Sequence, residues 1–303
     1  MVGATMLCAL SACTASPPPV APSPSPSVSR VVASPMIPEP SDSRPSASAA
    51  TASPLVKALQ GMAIDPAAGE APSRGGATLA PMGQGALTGR VIVVDPGHNG
   101  RYRAAINTRP VPAGNGRTKP CNSSGAATAS GYAEHRFNWD VGQRLVGELR
   151  SRGAKVVLTR PNDNGTGPCV NERAAIGNRS AGDLVISIHA DGNLSPDARG
   201  FHIILSTTMA GGSPVEASSR RLALILRRKI HAGTGMPRST YIGGGTALSP
   251  RTDIAGLNLS SIPAVMLEAG NLRHPKDAAL LTTPSFRTQL AEALVDGVAE
   301  ALR

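Results

Sequence analysis

Hydrophobic positions divide this chain into two regimes. Up to about residue 88, large apolar side chains are sparse among Pro, Ser, Ala and Gly; beyond it, short apolar runs alternate with segments of helical period. Arg90 to Val94 reads as a buried strand. Phe137, Val141, Leu145 and Leu149 recur every four residues and predict a helix over Glu134–Arg152, stopped by Gly153. Lys155–Thr159 is the next strand, which makes a βαβ unit with a right-handed crossover. A short helix capped by Asn171 follows over Asn171–Ser180. Strands are then predicted at Asp183–His189, Gly200–Leu205 and Ala264–Glu268, a basic helix over Pro214–His231, and a closing helix over Pro284–Arg303. This alternation predicts an α/β fold, a three-layer αβα domain with a mostly parallel twisted sheet. Asn99–Gly131 is rich in Gly, Pro, Asn and Ser and has no apolar period; loops this long are usually functional.

The leader contains too little apolar surface to offset the entropy of ordering it. Residues 13–88 are therefore expected to form a disordered tether, and 89–303 the folded domain. Leu55–Pro66 has weak helix propensity but reads better as more linker. Residues 1–12 are uncharged and mostly apolar and read as an export signal. Leu10-Ser11-Ala12-Cys13 resembles a lipobox, with Cys13 as the lipidated residue. The segment lacks the usual positive start, so a plain secretory signal is the competing reading. Either places the protein outside the cytoplasm: in the cell envelope as a membrane-anchored lipoprotein of the periplasm or wall space, otherwise secreted.

Net charge is +10, and residues 1–88 carry four basic and four acidic side chains, so the excess lies on the folded domain. Such a domain favours anionic surroundings. Aromatic residues are only 2%, which argues against a single-stranded nucleic-acid reader; no nucleic-acid partner is expected, and the protein is expected to be a monomer. Beyond Cys8 and Cys13, only Cys121 and Cys169 remain. Both lie in polar loops of an exported chain, where a disulfide is favoured over two buried thiols.

Candidate chemistry concentrates at strand ends. His98, His189 and Glu268 each close a short apolar run, at the sheet edge where α/β proteins bind ligands. Glu134 precedes Phe137, Val141 and Leu145 by 3, 7 and 11 positions, which keeps it on the buried stripe of its helix. An unpartnered carboxylate there would cost several kcal/mol, and a cation is its natural partner. His98, Glu134 and His189 match the three-ligand catalytic zinc set with one open position. Glu268 would then be the acid/base group near the metal. Taken singly, each has a plainer explanation: a structural His, a helix-start charge, a salt-bridge Glu. Asp95 and Asp191 are alternative ligands or carboxylates just outside the ligand set; Asp95 reads as a residue that shapes its loop or hydrogen-bonds the outer nitrogen of a ligating His. His135 is rotated about 100° from Glu134 and is the poorer ligand. His202, His231 and His274 read as surface or structural residues.

Val93-Val94-Asp95-Pro96-Gly97-His98, Glu134 on its helix, Ser187-Ile188-His189-Ala190-Asp191 and Leu267-Glu268 with Gly270-Asn271 resemble the zinc-dependent N-acetylmuramoyl-L-alanine amidases of the amidase-3 family. The likeness covers about Arg90–Arg303 and is strongest to its mycobacterial-type members, which share Ser130–His135, the Asn162–Cys169 loop and Tyr241-Ile242-Gly243. It implies hydrolysis of the amide between N-acetylmuramic acid and L-alanine in peptidoglycan. It also implies one zinc on His98, Glu134 and His189, Glu268 as the catalytic carboxylate, and a Cys121–Cys169 disulfide. The lipobox leader is not a general feature of that family. Other wall-directed zinc peptidases or deacetylases, and a catalytically silent wall-binding lipoprotein, are the alternatives.

Overall fold

The computed structural model describes residues 76–303; the expected signal, Cys13 and the tether as far as residue 75 lie outside them. Nine strands appear among the described residues. They are β1 (Ala77–Leu79), β2 (Val91–Pro96), β3 (Pro110–Gly114), β4 (Arg117–Pro120), β5 (Lys155–Leu158), β6 (Leu184–Asp191), β7 (His202–Ser206), β8 (Leu248–Arg251) and β9 (Ala264–Asn271). The main sheet has the order β1-β5-β2-β6-β9-β7-β8. Its β5/β2, β2/β6, β6/β9 and β7/β8 pairs are parallel; β1/β5 and β7/β9 are antiparallel. The mostly parallel α/β sheet is thus as expected, with β9 entering between β6 and β7.

Seven α-helices lie among the described residues: α1 (Ala104–Asn107), α2 (Glu134–Ser151), α3 (Val170–Arg179), α4 (Gly212–Thr234), α5 (Ala255–Asn258), α6 (Pro275–Leu281) and α7 (Pro284–Ala301). Alternating strand residues serve two cores. Ile92, Val94, Ile186, Ile188, Ile203, Val265 and Leu267 face α2, α4 and α7 in the larger one. On the other face, Val93 and Val157 pack on Ile176 of α3, and Ile204 and Ala264 on Leu257 of α5. Asp95, Ser187, His189 and Glu268 share the parity of this thinner face. The short α5 leaves room over it for a cleft.

Two expectations need correction. The folded domain begins before residue 89: Ala77–Leu79 pairs with β5, and Leu87 is fully buried. Three strand residues and one buried leucine are too short a pattern to stand out from a Gly/Ala-rich stretch. The second concerns α3, which starts at Val170 with Cys169 as N-cap, where Asn171 was expected; Glu172 accepts from the Cys169 amide at 3.1 Å. The long loop also contains structure. The strands β3 and β4 form a hairpin around Asn115 and Gly116, both at positive φ (54° and 67°), as a type I′ turn needs. Cys121 at the end of this hairpin is disulfide-bonded to Cys169 at the start of α3.

Candidate metal centre and cleft

Glu134 opens α2 at 4% exposure and points over the carboxyl edge of the sheet. Its Oε1 lies 3.0 Å from His98 Nε2 and 3.0 Å from His189 Nδ1. The two imidazoles meet edge-on, with ring centroids 4.8 Å apart. One ligand atom from each of the three side chains falls within 4.8 Å of the others, a spacing that could hold a metal ion. Backbone amides fix the carboxylate: Ala126 donates to Oε2 at 2.7 Å and Ala190 to Oε1 at 3.1 Å. The second nitrogen of His98, Nδ1, lies 3.0 Å from the Ser123 carbonyl, which leaves Nε2 facing the carboxylate.

The electrostatics follow from that packing. Burial works against a charged Glu134, but the His98 and His189 contacts outweigh it and hold the carboxyl well below its usual range. Burial likewise opposes protonation of His98, yet the adjacent carboxylate prevails and raises its pKa. At His189 burial prevails and the pKa falls. A buried anion flanked by two imidazoles is a ready cation site.

Sequence reasoning missed the residue that braces this centre, Arg173 on α3. Its Nη1 donates to Asp95 Oδ1 at 2.6 Å and to the Pro96 carbonyl at 2.9 Å. Its Nη2 donates to the His98 carbonyl at 2.6 Å and to Asn99 Oδ1 at 2.7 Å. His98 itself sits at φ 60°, a left-handed conformation that costs a non-glycine residue of order 1 kcal/mol or more and needs support. Asp95 lies behind this turn, bonded to the same arginine. It touches neither imidazole; it accepts from Thr159 (2.6 Å), Ser187 (2.6 Å) and Arg173. Burial pushes its pKa up, but the Arg173 charge and these hydrogen bonds bring it down to about 2. An arginine that reaches back from a later helix leaves no local sequence signal. Gly97 is also required: a Cβ there would stand 2.1 Å from His189 Nε2.

Glu268 lies in register with His189 across β6/β9 and lines the same cleft, of about 440 Å³. Burial first, then the Glu134 and Asp191 charges, raise its pKa well above the ordinary carboxylate range, and its Oε2 has no hydrogen-bond partner. Asp191 accepts from the Tyr241 hydroxyl at 2.7 Å and from the Gly192 amide, with no bond to a His. His202 is structural, buried opposite Glu268 across β7/β9, its pKa lowered by burial to about 4. His135 is held by Asp163 at 2.9 Å, away from the centre.

Residues 92–300 match the amidase-3 family, described as N-acetylmuramoyl-L-alanine amidase. The chain belongs to this family. Among amidase-3 relatives, N-acetylmuramoyl-L-alanine amidase Rv3717 of Mycobacterium tuberculosis is 42% identical over 214 residues, 70% of this chain and 86% of that protein. LytC of Bacillus subtilis is 28% identical and shares only 36% of its own length. The crystal structure of the amidase Ami1 from Mycobacterium smegmatis superposes with TM-score 0.67 at 43% identity, over 71% of this chain and 98% of that one. Ami1 from Mycobacterium abscessus gives the same TM-score at 40% identity, over 71% of this chain and all of that one.

Proposed function

We propose that this protein is a zinc-dependent N-acetylmuramoyl-L-alanine amidase that cleaves the amide between the lactyl group of N-acetylmuramic acid and L-alanine, in remodelling of the cell wall. One observation carries the chemistry: a His–Glu–His cluster and a half-buried Glu268, whose Oε2 is unpaired, share one cleft. Family membership supplies the substrate class. The donor set fits zinc, since two imidazoles and one carboxylate with an open fourth position are what catalytic zinc takes. Zinc held by His98, Glu134 and His189 would supply Lewis-acid polarisation and a water acidic enough to ionise near neutral pH.

The remaining work falls to the chain itself. Glu268 accepts the proton of the attacking water and hands it to the departing L-alanine nitrogen, which must be protonated to leave. A carboxyl whose pKa is raised by burial and by like charge is suited to both halves of that transfer. Arg173 keeps the His98 backbone in its left-handed turn, and the Ser123 carbonyl fixes the His98 tautomer. The charge on Asp95 is spent on Arg173, Thr159 and Ser187, which keeps the floor of the site rigid.

Digestion of purified peptidoglycan tests the reading. Mass spectrometry should find intact glycan strands and free stem peptides beginning with L-alanine, and a chelator should abolish both. Peptides cut between stem residues, or deacetylated sugars, would point to another wall hydrolase.

A further inference from the structure

The cleft is electrically lopsided. Glu134, Glu268 and Asp191 gather at the metal end. The same cleft is lined by Lys119 of β4 and Arg251 of β8. Of the carboxylates near them, only Asp253 is bonded to Arg251; Glu268 and Asp191 act on it through space. Arg251 is bound through Nε and Nη2 to both oxygens of Asp253, at 2.7 and 2.6 Å. That leaves its Nη1 uncommitted. Lys119 donates only to the backbone carbonyl of Asp253, at 3.1 Å, and has no ion-pair partner among the described residues. Its ammonium is partly desolvated by the hairpin and the facing wall, which lowers its pKa. A half-buried ammonium beside a guanidinium, open to a substrate cleft, is a place for an anion.

We propose that Lys119 and Arg251 form a carboxylate subsite for the peptide half of the substrate, taking the free α-carboxylate of the residue that follows L-alanine. This rests on the amidase reading above. The argument is one of charge inventory. In the substrate class, the lactyl acid of the sugar half is tied up in the scissile amide, so that half is uncharged. The peptide half carries the free carboxylates. A cationic wall therefore faces the peptide. A cleft of about 440 Å³ has room for a short peptide beside the reacting amide but not for a long stem. The second stem residue is joined through its side-chain γ-carboxyl, so its α-carboxyl is the nearest charge to the scissile bond. Half-buried Ile254 lines the same cleft and offers apolar surface to the peptide.

The subsite makes the enzyme sensitive to α-amidation of that residue, which removes the charge and leaves the shape. The test uses the full-length, zinc-loaded protein and two N-acetylmuramoyl-L-alanyl-D-glutamyl substrates. Both have the γ-carboxyl capped as an amide; one has a free α-carboxylate and the other an α-amide. Wild type should prefer the free acid about tenfold in kcat/KM, chiefly through KM, as expected for one charge-assisted contact. Lys119→Met should bring that ratio close to one, and Lys119→Arg should restore most of it. Equal rates on the two substrates in wild type, or an undiminished preference in Lys119→Met, would overturn the subsite. Binding of the corresponding free dipeptides, measured calorimetrically, reads the subsite without turnover. If wild type cleaves neither substrate, the amidase reading fails. The subsite then stands if the acid dipeptide binds more tightly and Lys119→Met erases the difference, and falls if it does not.

Discussion

At the scale of single residues, the metal centre is defined by what each side chain cannot do without. His98→Ala or His189→Ala removes a donor, and the purified variant should contain well under one zinc per chain by elemental analysis, with activity lost in parallel. Gly97→Ala should do much the same with every donor still present, because its methyl group would occupy the space of the His189 ring. Full zinc content in Gly97→Ala would show that the imidazole can move. Glu268→Gln is different in kind. It should keep zinc and fold but lose roughly 10²–10⁴-fold in kcat, the usual contribution of a general acid/base. A turnover near wild type would remove Glu268 from the mechanism.

Asp95 gives the residue scale its pH signature. Its carboxyl falls from an ordinary 3.8 to about 2 on folding. A depressed carboxylate stabilises the fold fully above its unfolded pKa, and that stability fades as pH drops from about 4 through about 2. The amount is on the order of 2 kcal/mol. Asp95→Asn should therefore be less stable at neutral pH and show a flatter acid limb in denaturant titrations. An acid limb identical to wild type would mean that Asp95 gains nothing from Arg173.

At the scale of elements, what could be read from the sequence depended on how local the signal was. The α2 helix announces itself through four apolar residues at a spacing of four, and its observed end lies within one residue of expectation. The strands β2, β6 and β9 are buried runs that end at the site, so His98, Glu134, His189 and Glu268 could be placed without coordinates. The strands β1 and β8 and the helices α1 and α5 are three or four residues long, below any usable period. Arg173 and the subsite residues Lys119 and Arg251 depend on contacts between distant segments, which no pattern along the chain records. The Asn115-Gly116 turn was visible as a dipeptide but hidden among prolines. The Cys121–Cys169 bond joins the hairpin to the first turn of α3, the helix that carries Arg173. Replacing both cysteines with serine should lower stability by roughly 2–4 kcal/mol, measured by denaturant unfolding. Unchanged stability would indicate that hairpin and helix hold together without it.

At the scale of the whole molecule, the question is where the domain works, and the proposed leader would decide it. Among the described residues no helix is long and apolar enough to cross a membrane. A lipid at Cys13, as proposed, would attach the domain to a membrane, and two acyl chains suffice for it. Cys13→Ser should move the protein from the membrane fraction to the medium with its activity intact. A wild-type protein that is already soluble, with another residue at its mature N-terminus, would mark an ordinary secretory signal.

The position of β9 bears on when this molecule comes into being. Its neighbours β6 and β7 are consecutive in the chain, yet they touch only through a strand made some sixty residues later. Until residues 264–271 arrive, the growing domain has two half-sheets with open edges and no strand to join them. Such non-local pairing is slow, and it leaves edges open to wrong partners. The strand that closes the gap is also the one that carries Glu268. A chain that crosses a membrane from its N-terminus would complete its sheet and its proton carrier in the same late event, after most of its length is already outside.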